Sequence, residues 1–367
     1  MAAAHPPIVL YHYPTSPFAK RIVWYLNLRQ IPYSQCLQPV ILPRPDLKEE
    51  LGISYRRIPI LSIGRDVYLD TRLILAKLEQ LFPPSPSHPS LTTPSPLQNE
   101  HALLSALLSR TIIAPNGLFL RAAQLLPPKL FAAPGNGTPQ FLRDRADLSG
   151  VNLPPSSPSS PNAAADVSAS PLSPATLAAR RPEALVEIRA YAALLERTVF
   201  SDGRPWIVKG AGGPTLLDIE AVWILHWLRQ IPGALPAGYV DSRVFPGVFA
   251  WVERFGRAAE QRPAGEAAAV VQGAEAASLI AGSAFAEAEA GVDAADPVVL
   301  AEGLGKGVQV RMWPTDWGFT HKDTGTLVGV DDAQFVVEVK GKRGTVRVHA
   351  PRRGFKVAKV GEGESRL

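Results

Sequence analysis

Residues 13–21, Tyr13-Pro14-Thr15-Ser16-Pro17-Phe18-Ala19-Lys20-Arg21, decide how this chain is read. The run before them, Ile8-Val9-Leu10-Tyr11-His12, is apolar and predicts a strand. The run after them places Ala19, Ile22, Val23 and Leu26 on one face at helical spacing. A serine followed by proline at a strand-to-helix turn is a good N-cap followed by a good first helical residue. The same geometry sets a hydroxyl and free backbone N–H groups where an anion would sit. Ser16 is therefore a cap or a binding group, and the residues around it must decide which.

Outward from that turn, residues 7 to about 82 read as a small α/β unit. After the first helix, Pro17 to Arg29, a second extended run covers Tyr33 to Val40, and Asp46 to Tyr55 is a short helix or turn. Ile58-Pro59-Ile60-Leu61-Ser62-Ile63 and Val67-Tyr68-Leu69 flank Gly64-Arg65-Asp66 as a hairpin. Thr71 to Phe82 carries Ile74, Leu78 and Leu81 at helical spacing. The order is β-α-β-α-β-β-α, a mixed sheet with helices on its faces.

Pro83-Pro84-Ser85-Pro86-Ser87-His88-Pro89 is a linker by composition. Leu97 to Leu126 is helical in texture, and Pro127 to about Pro174 is rich in proline, serine, glycine and alanine. Its centre, Pro154-Pro155-Ser156-Ser157-Pro158-Ser159-Ser160-Pro161, cannot bury enough apolar surface to pack, which predicts a mobile loop. Helical patterns resume from Leu177 to Val199, and Thr215-Leu216-Leu217-Asp218 is a capping-box variant opening an apolar helix with Trp223 and Trp227 four apart. Phe245 to Trp251 starts another helix, and residues 265–290 are alanine-rich and helical by propensity. From about Val298 the pattern alternates as strands do, in Val308–Trp313, Gly325–Val330, Phe335–Val339 and Thr345–His349, predicting a small all-β module. The expected plan is α+β and multi-domain: 1–84 α/β, 97–290 all-helical with a disordered insertion at about 130–174, and 298–367 all-β.

Composition bounds the function. Hydrophobic residues make up 46% of the 367 residues and charged residues 19%, as in a globular protein with true cores. The net charge of +5 is spread along the chain, which reads as a solvated surface and not a nucleic-acid patch. The single cysteine, Cys36, excludes an intrachain disulfide and a multi-cysteine metal site. The first residues lack the charged and apolar regions of a signal peptide, and no stretch reaches the length of an apolar membrane span, so the cytosol is the expected location. The seven histidines form no H-E-x-x-H and no pair at metal spacing, and neither G-x-S-x-G nor G-x-G-x-x-G occurs.

Three candidates remain: Ser16-Pro17, Ile58-Pro59 and Asp70-Thr71. Pro59 heads a strand and removes a ladder donor; a cis bond there would turn the Ile58 main chain towards an extended peptide. Asp70 or Thr71 can cap the helix after the hairpin, and a helix N-terminus with a hydroxyl also suits a carboxylate. Singly, each has a plain structural reading as a cap or a strand-edge proline. In this order within a β-α-β-α-β-β-α unit they are far more specific.

On these residues, the segment from 8 to 82 resembles the thioredoxin-like N-terminal domain of the glutathione S-transferase superfamily. Ser16 to Arg21 resembles the run of serine-type members; cysteine-type relatives carry cysteine in place of the serine. Ile58-Pro59 resembles the family's cis-proline, and Asp70-Thr71 its acidic residue plus serine, with threonine here at the second place. Gly213 to Ile219 and the tryptophan-rich helix after it resemble the capping-box motif of the helical domain. The resemblance covers about two thirds of the chain, leaving out the Pro/Ser insertion and the β module; that extension suggests a filamentous-fungal type of member.

The resemblance implies glutathione as substrate or cofactor. Ser16 would favour its thiolate, Ile58 and Pro59 would pair with its peptide part, and Asp70 and Thr71 would hold its γ-glutamyl end. Tyr11 and Tyr13 crowd the same strand end, so a phenol is an alternative donor, and Arg44 is close enough in sequence to add charge without an assigned role. The implied reaction is addition of the thiolate to an apolar electrophilic small molecule. The alternatives are a glutathione-dependent isomerase and a non-catalytic binding protein. Neither metal, nucleic acid nor membrane is an implied partner, and a cytosolic homodimer is the family's usual form.

Overall fold

The computed structural model describes residues 5–92, 97–127, 130, 138–153, 167–260 and 268–361. The first unit runs β1 (Ile8–His12), α1 (Pro17–Leu28), β2 (Ser34–Leu37), α2 (Pro45–Lys48), β3 (Ile60–Ile63), β4 (Asp66–Leu69) and α3 (Thr71–Leu81), which is the thioredoxin-like order. β1 lies parallel to β2 and antiparallel to β3, and β3 and β4 form the hairpin. β1 is apolar at nearly every position because both its faces are buried. Ile8 and Leu10 enter a core shared with α1, α3 and the helical region; Val9 and Tyr11 enter a second core on the other face.

The helical region comprises α4 (Gln98–Ile113), α5 (Leu118–Ala123), α6 (Pro139–Ser149), α7 (Pro174–Thr198), α8 (Leu216–Arg229) and α9 (Pro246–Glu260). α8 is its axis, with all but a few of its side chains buried. The capping box closes its start: the Asp218 carboxylate accepts from Thr215 N and Oγ1, and also from Ile207 N and Trp251 Nε1. One buried carboxylate thus pins three segments, and its four donors offset its desolvation. Among the described residues, no helix is long and apolar enough to cross a membrane.

Two expectations need correction. The segment from Pro127 to Pro174 is not a loop throughout, because α6 lies inside it. Thr138 caps that helix, and Phe141 and Leu142 pack on Leu126, Val167 and Leu177. A single apolar stripe in otherwise polar sequence suffices once a neighbouring surface accepts it. The Pro154–Pro161 run, the basis of the disorder reading, lies outside the described residues. The alanine-rich stretch 265–290 holds one short helix, α10 (Gly273–Ala281). Ahead of it the chain runs beside β2, where Gln35 N–H donates to Ala269 O and Val271 N–H to Gln35 O. Tertiary pairing there overrides helix propensity.

After α11 (Pro297–Ala301) come β5 (Gln309–Pro314), β6 (Asp323–Val330), β7 (Gln334–Gly341), β8 (Gly344–Pro351) and β9 (Phe355–Lys359). The alternation marked the first four of these strands and passed over β9. These strands do not stand apart. β8 lies parallel to β4, pairing Val67 with Val348 and Tyr68 with His349, so one nine-stranded sheet runs β2-β1-β3-β4-β8-β7-β6-β5-β9. The edge that β4 would expose is covered. Polar groups buried at the seam find partners: Asp66 accepts from His349 Nε2 at 2.9 Å and from the N–H groups of Ala286 and Glu287. Glu287 in turn accepts from the Tyr68 hydroxyl and from Lys77 Nζ.

A second seam rests on Asp323 at the start of β6. Its carboxylate is buried and accepts from the N–H groups of Ser54 and Tyr55, three to four residues before Ile58. Burial pushes this carboxyl up to about 7, against which the two N–H bonds pull downward. The folded state therefore holds a proton that the unfolded chain releases nearer pH ~4. Stability falls as pH rises from about 4 to about 7 on this group's account. Asp323→Asn should flatten that part of the pH profile; denaturant titrations at pH 5 and pH 8 check it, and an unchanged slope would contradict it.

Candidate active site

Between the first unit and the helical region lies a cavity of about 540 Å³. One wall is the Tyr13–Phe18 turn with Ile58, Pro59, Asp70 and Thr71. The other is apolar and aromatic, with Phe119, Leu126, Phe141, Trp227 and Ile231 among its residues. The loop between β5 and β6 adds Asp316 and Trp317. The candidate residues lie up to 55 positions apart in sequence, from Ser16 to Thr71, and the fold brings them to one wall.

Ser16 sits at the N-cap of α1, with Pro17 in the first helical turn. Its Oγ accepts from Ala19 N–H at 3.2 Å, the bond expected of a cap. That bond uses an oxygen lone pair and leaves the hydroxyl proton free to donate. The residue is 2% exposed, so this proton meets the cavity and not bulk water. One side chain can thus cap the helix and still offer a donor to the cavity, using its two hydrogen-bonding capacities. The positive end of α1 lies at the same spot and favours an anion there.

The Ile58–Pro59 peptide is cis, and both residues line the cavity. Asp70 caps α3 with a backbone φ of 67°, a conformation that Asp and Asn tolerate better than most side chains. Its carboxylate receives Arg72 N, Nε and Nη2. Burial alone would raise this carboxyl; the bonds and charge of Arg72, with Arg57 beyond, outweigh burial and hold it below its ordinary value. It therefore faces the cavity as an anion at neutral pH. Thr71 Oγ1 accepts from Arg21 Nη1, which leaves its hydroxyl proton to donate.

Arg21 ends the run quoted first, and the sequence reading gave it no role. It is wholly buried. Besides Thr71, it donates to Ser109 Oγ on α4 and forms an ion pair with Glu220 on α8, beneath the ring of Trp223. It fixes the Thr71 hydroxyl and joins the first unit to the helices. The only signal for it in sequence was a cation directly before the apolar helix face, which surface arginines share.

The arginines on the lining are occupied. Arg44 donates to the carbonyls of Pro39, Val40 and Arg56, and is a brace for the backbone ahead of Ile58. Arg56 pairs with Asp144 and Asp147 on α6, and Arg57 with Asp316 and the Trp317 carbonyl. Gly318 N–H donates to Leu148 O, and His321 bonds Asp147. Through these contacts α6 and the β5–β6 loop are bolted to the segment that ends in Ile58-Pro59. Neither contribution was legible in the sequence, because both come from the regions that the resemblance left out.

The alternative phenols separate. Tyr13 lines the cavity beside Ser16. Tyr11 is fully buried in the opposite core with Cys36, and burial pushes its phenol far above the ordinary value. Residues two apart in a strand share a face, so Tyr11 and Tyr13 would point the same way within β1; Tyr13 lies just past its end, partly packed on the same core, and reaches the cavity from the turn. Tyr11 is excluded as a donor to anything in the cavity.

Residues 10–86 match the family of glutathione S-transferase N-terminal domains, and residues 157–264 match a domain family of unknown function, DUF7962. No curated protein matches the chain. Among solved structures, a GST-like protein from Pseudomonas syringae is similar over 96% of this chain and 99% of its own, with 23% identity and a TM-score of 0.63. A rice glutathione transferase in complex with glutathione is similar over 74% of this chain and 96% of its own, at 15% identity and a TM-score of 0.46. The beta-etherase LigF from Sphingobium sp. strain SYK-6 covers 68% and 94%, at 17% identity and a TM-score of 0.47. At 23% identity the Pseudomonas protein shares the fold, and its near-complete coverage includes the strands after residue 298. Residues 10–86 thus carry a glutathione S-transferase N-terminal domain.

Proposed function

We propose that the chain is a glutathione transferase, adding the thiolate of glutathione to an apolar electrophilic small molecule. The observation that carries this reading is the convergence of Ser16, Ile58-Pro59 and Asp70-Thr71 on one wall of a cavity whose other wall is apolar. A thiol near pKa ~8.5 is mostly protonated at neutral pH, and the thiolate is the nucleophile. The Ser16 hydroxyl donates to the sulfur, and the start of α1 adds its positive potential, so the anion is favoured without a covalent bond to serine. The Ile58 main chain pairs with the peptide part of glutathione. The Asp70 carboxylate takes the γ-glutamyl ammonium, and the Thr71 hydroxyl, oriented by Arg21, donates to the adjoining carboxylate. The apolar wall holds the electrophile and keeps water from the thiolate.

The same reading carries a cytosolic homodimer, for which the exposed Leu103, Leu104 and Leu107 of α4 offer an apolar face. Calorimetry with glutathione, followed by a conjugation assay with an aryl halide, tests the proposal. Binding in the micromolar to millimolar range is expected. No heat at millimolar glutathione would overturn the reading.

A further inference from the structure

The acceptor side of the cavity has a specific chemistry. Phe119 is the hub of a ring cluster, with centroids 4.6 Å from Phe18, 5.9 Å from Trp227 and 6.1 Å from Trp317. All four line the cavity. Phe18 comes from α1, Phe119 from α5, Trp227 from α8 and Trp317 from the β5–β6 loop, so four elements meet in one aromatic surface. Trp317 is half-buried, and its backbone is held by the donation of Arg57 to its carbonyl. Such a surface favours a flat ring in offset or edge contact.

Charge on the lining is distributed unevenly. Its carboxylates, Asp70 and Asp316, are each paired with an arginine. Arg44, Arg56, Arg57 and Arg145 are bound to carbonyls or carboxylates. Lys20 differs. It lies one helical turn beyond Ser16 on α1, half-buried, and its Nζ donates to the neutral Gln230 Oε1 at 2.7 Å. Among the described residues, no carboxylate lies within ion-pair distance of it. Glu260 acts on it only from beyond that distance, and a partly desolvated ammonium without a bonded counter-ion, lining the same cavity as an aromatic surface, is a receptor for an anionic group.

We propose that the acceptor half of the cavity takes a flat aromatic acid, with its ring on the Phe119–Trp317 surface and its anionic group on Lys20 Nζ. Calling this half the acceptor site rests on the glutathione reading above; the recognition itself does not. Trp317 is then a specificity residue supplied to the site by the C-terminal strands.

The test is calorimetry on the full chain without glutathione, comparing 2-naphthoate with the neutral 2-naphthamide. Naphthoate should bind at least about tenfold more tightly, and Lys20→Met should remove that preference. Trp317→Ala should weaken both ligands about fivefold to tenfold; Trp317→Phe should recover much of the loss, which separates a lost ring from a damaged fold. Equal binding of acid and amide, a preference that survives Lys20→Met, or binding indifferent to Trp317→Ala would overturn the proposal. So would a Lys20→Met variant that loses glutathione affinity but keeps the naphthoate preference, since Lys20 would then serve glutathione. Naphthoate binding as described, with no glutathione binding, would instead remove the transferase reading and leave this one standing.

Discussion

Ser16→Ala is expected to lower kcat/KM for conjugation by about 10²-fold, the effect of removing one preorganised donor from an anion. The fold should survive. Loss of the Ala19 N–H acceptor costs about 1 kcal/mol, small against a typical stability of ~5–15 kcal/mol. Ser16→Thr keeps both the cap and the hydroxyl and should retain most of the activity. Tyr13 lines the same cavity, so Tyr13→Phe is the control. If Ser16→Ala leaves turnover intact while Tyr13→Phe reduces it, the donor is the phenol and Ser16 is a cap alone. Steady-state kinetics with the bound fraction of glutathione held constant distinguish the cases.

Arg21→Met should produce the largest loss of stability, about 3–5 kcal/mol, because it strands a buried carboxylate. Arg21 and Glu220 form an ion pair with both side chains out of water. Without the guanidinium, Glu220 must stay ionised at high cost or take a proton. The double variant Arg21→Met/Glu220→Gln removes that unpaired charge and should recover a substantial part of the loss. Glutathione affinity should fall in both, since the Thr71 hydroxyl loses the donor that orients it. Urea titrations measure the first effect and calorimetry the second. A single variant less than about 1 kcal/mol destabilised would mean that the pair holds the units together weakly.

The first unit was legible because its signals are local. Apolar strand runs, the Ser16-Pro17 and Asp70-Thr71 caps and the β3–β4 turn each read out over a few residues, and their order gave a mixed sheet with helices on its faces, which the family resemblance implied to be thioredoxin-like. The capping box at Thr215–Asp218 was legible for the same reason, as a fixed spacing. What escaped was long-range. Nothing local shows that His349 meets Asp66, 283 positions away, and so joins the C-terminal strands to the first sheet. Nothing local marks Trp317 as a cavity residue; it is the donation of Arg57, 260 positions away, that holds its carbonyl there. α6 escaped because the composition of its neighbours drowned a single apolar stripe, Phe141 and Leu142 with Ala146 one turn on. Arg21 was hidden by its residue type: an arginine in a helix is ordinarily at the surface, and only the placement of Glu220, Ser109 and Thr71 around it makes it central.

The central claim is that Ser16 and the start of α1 hold glutathione as its thiolate. The most direct measurement is the pH titration of the bound thiol, followed by ultraviolet absorbance of the thiolate, in the wild type and in Ser16→Ala. In the wild type the bound thiol should titrate at least one unit below the free value of ~8.5, and Ser16→Ala should return most of that difference. A bound thiol that titrates like the free one, or a lowered value untouched by Ser16→Ala, would contradict the account.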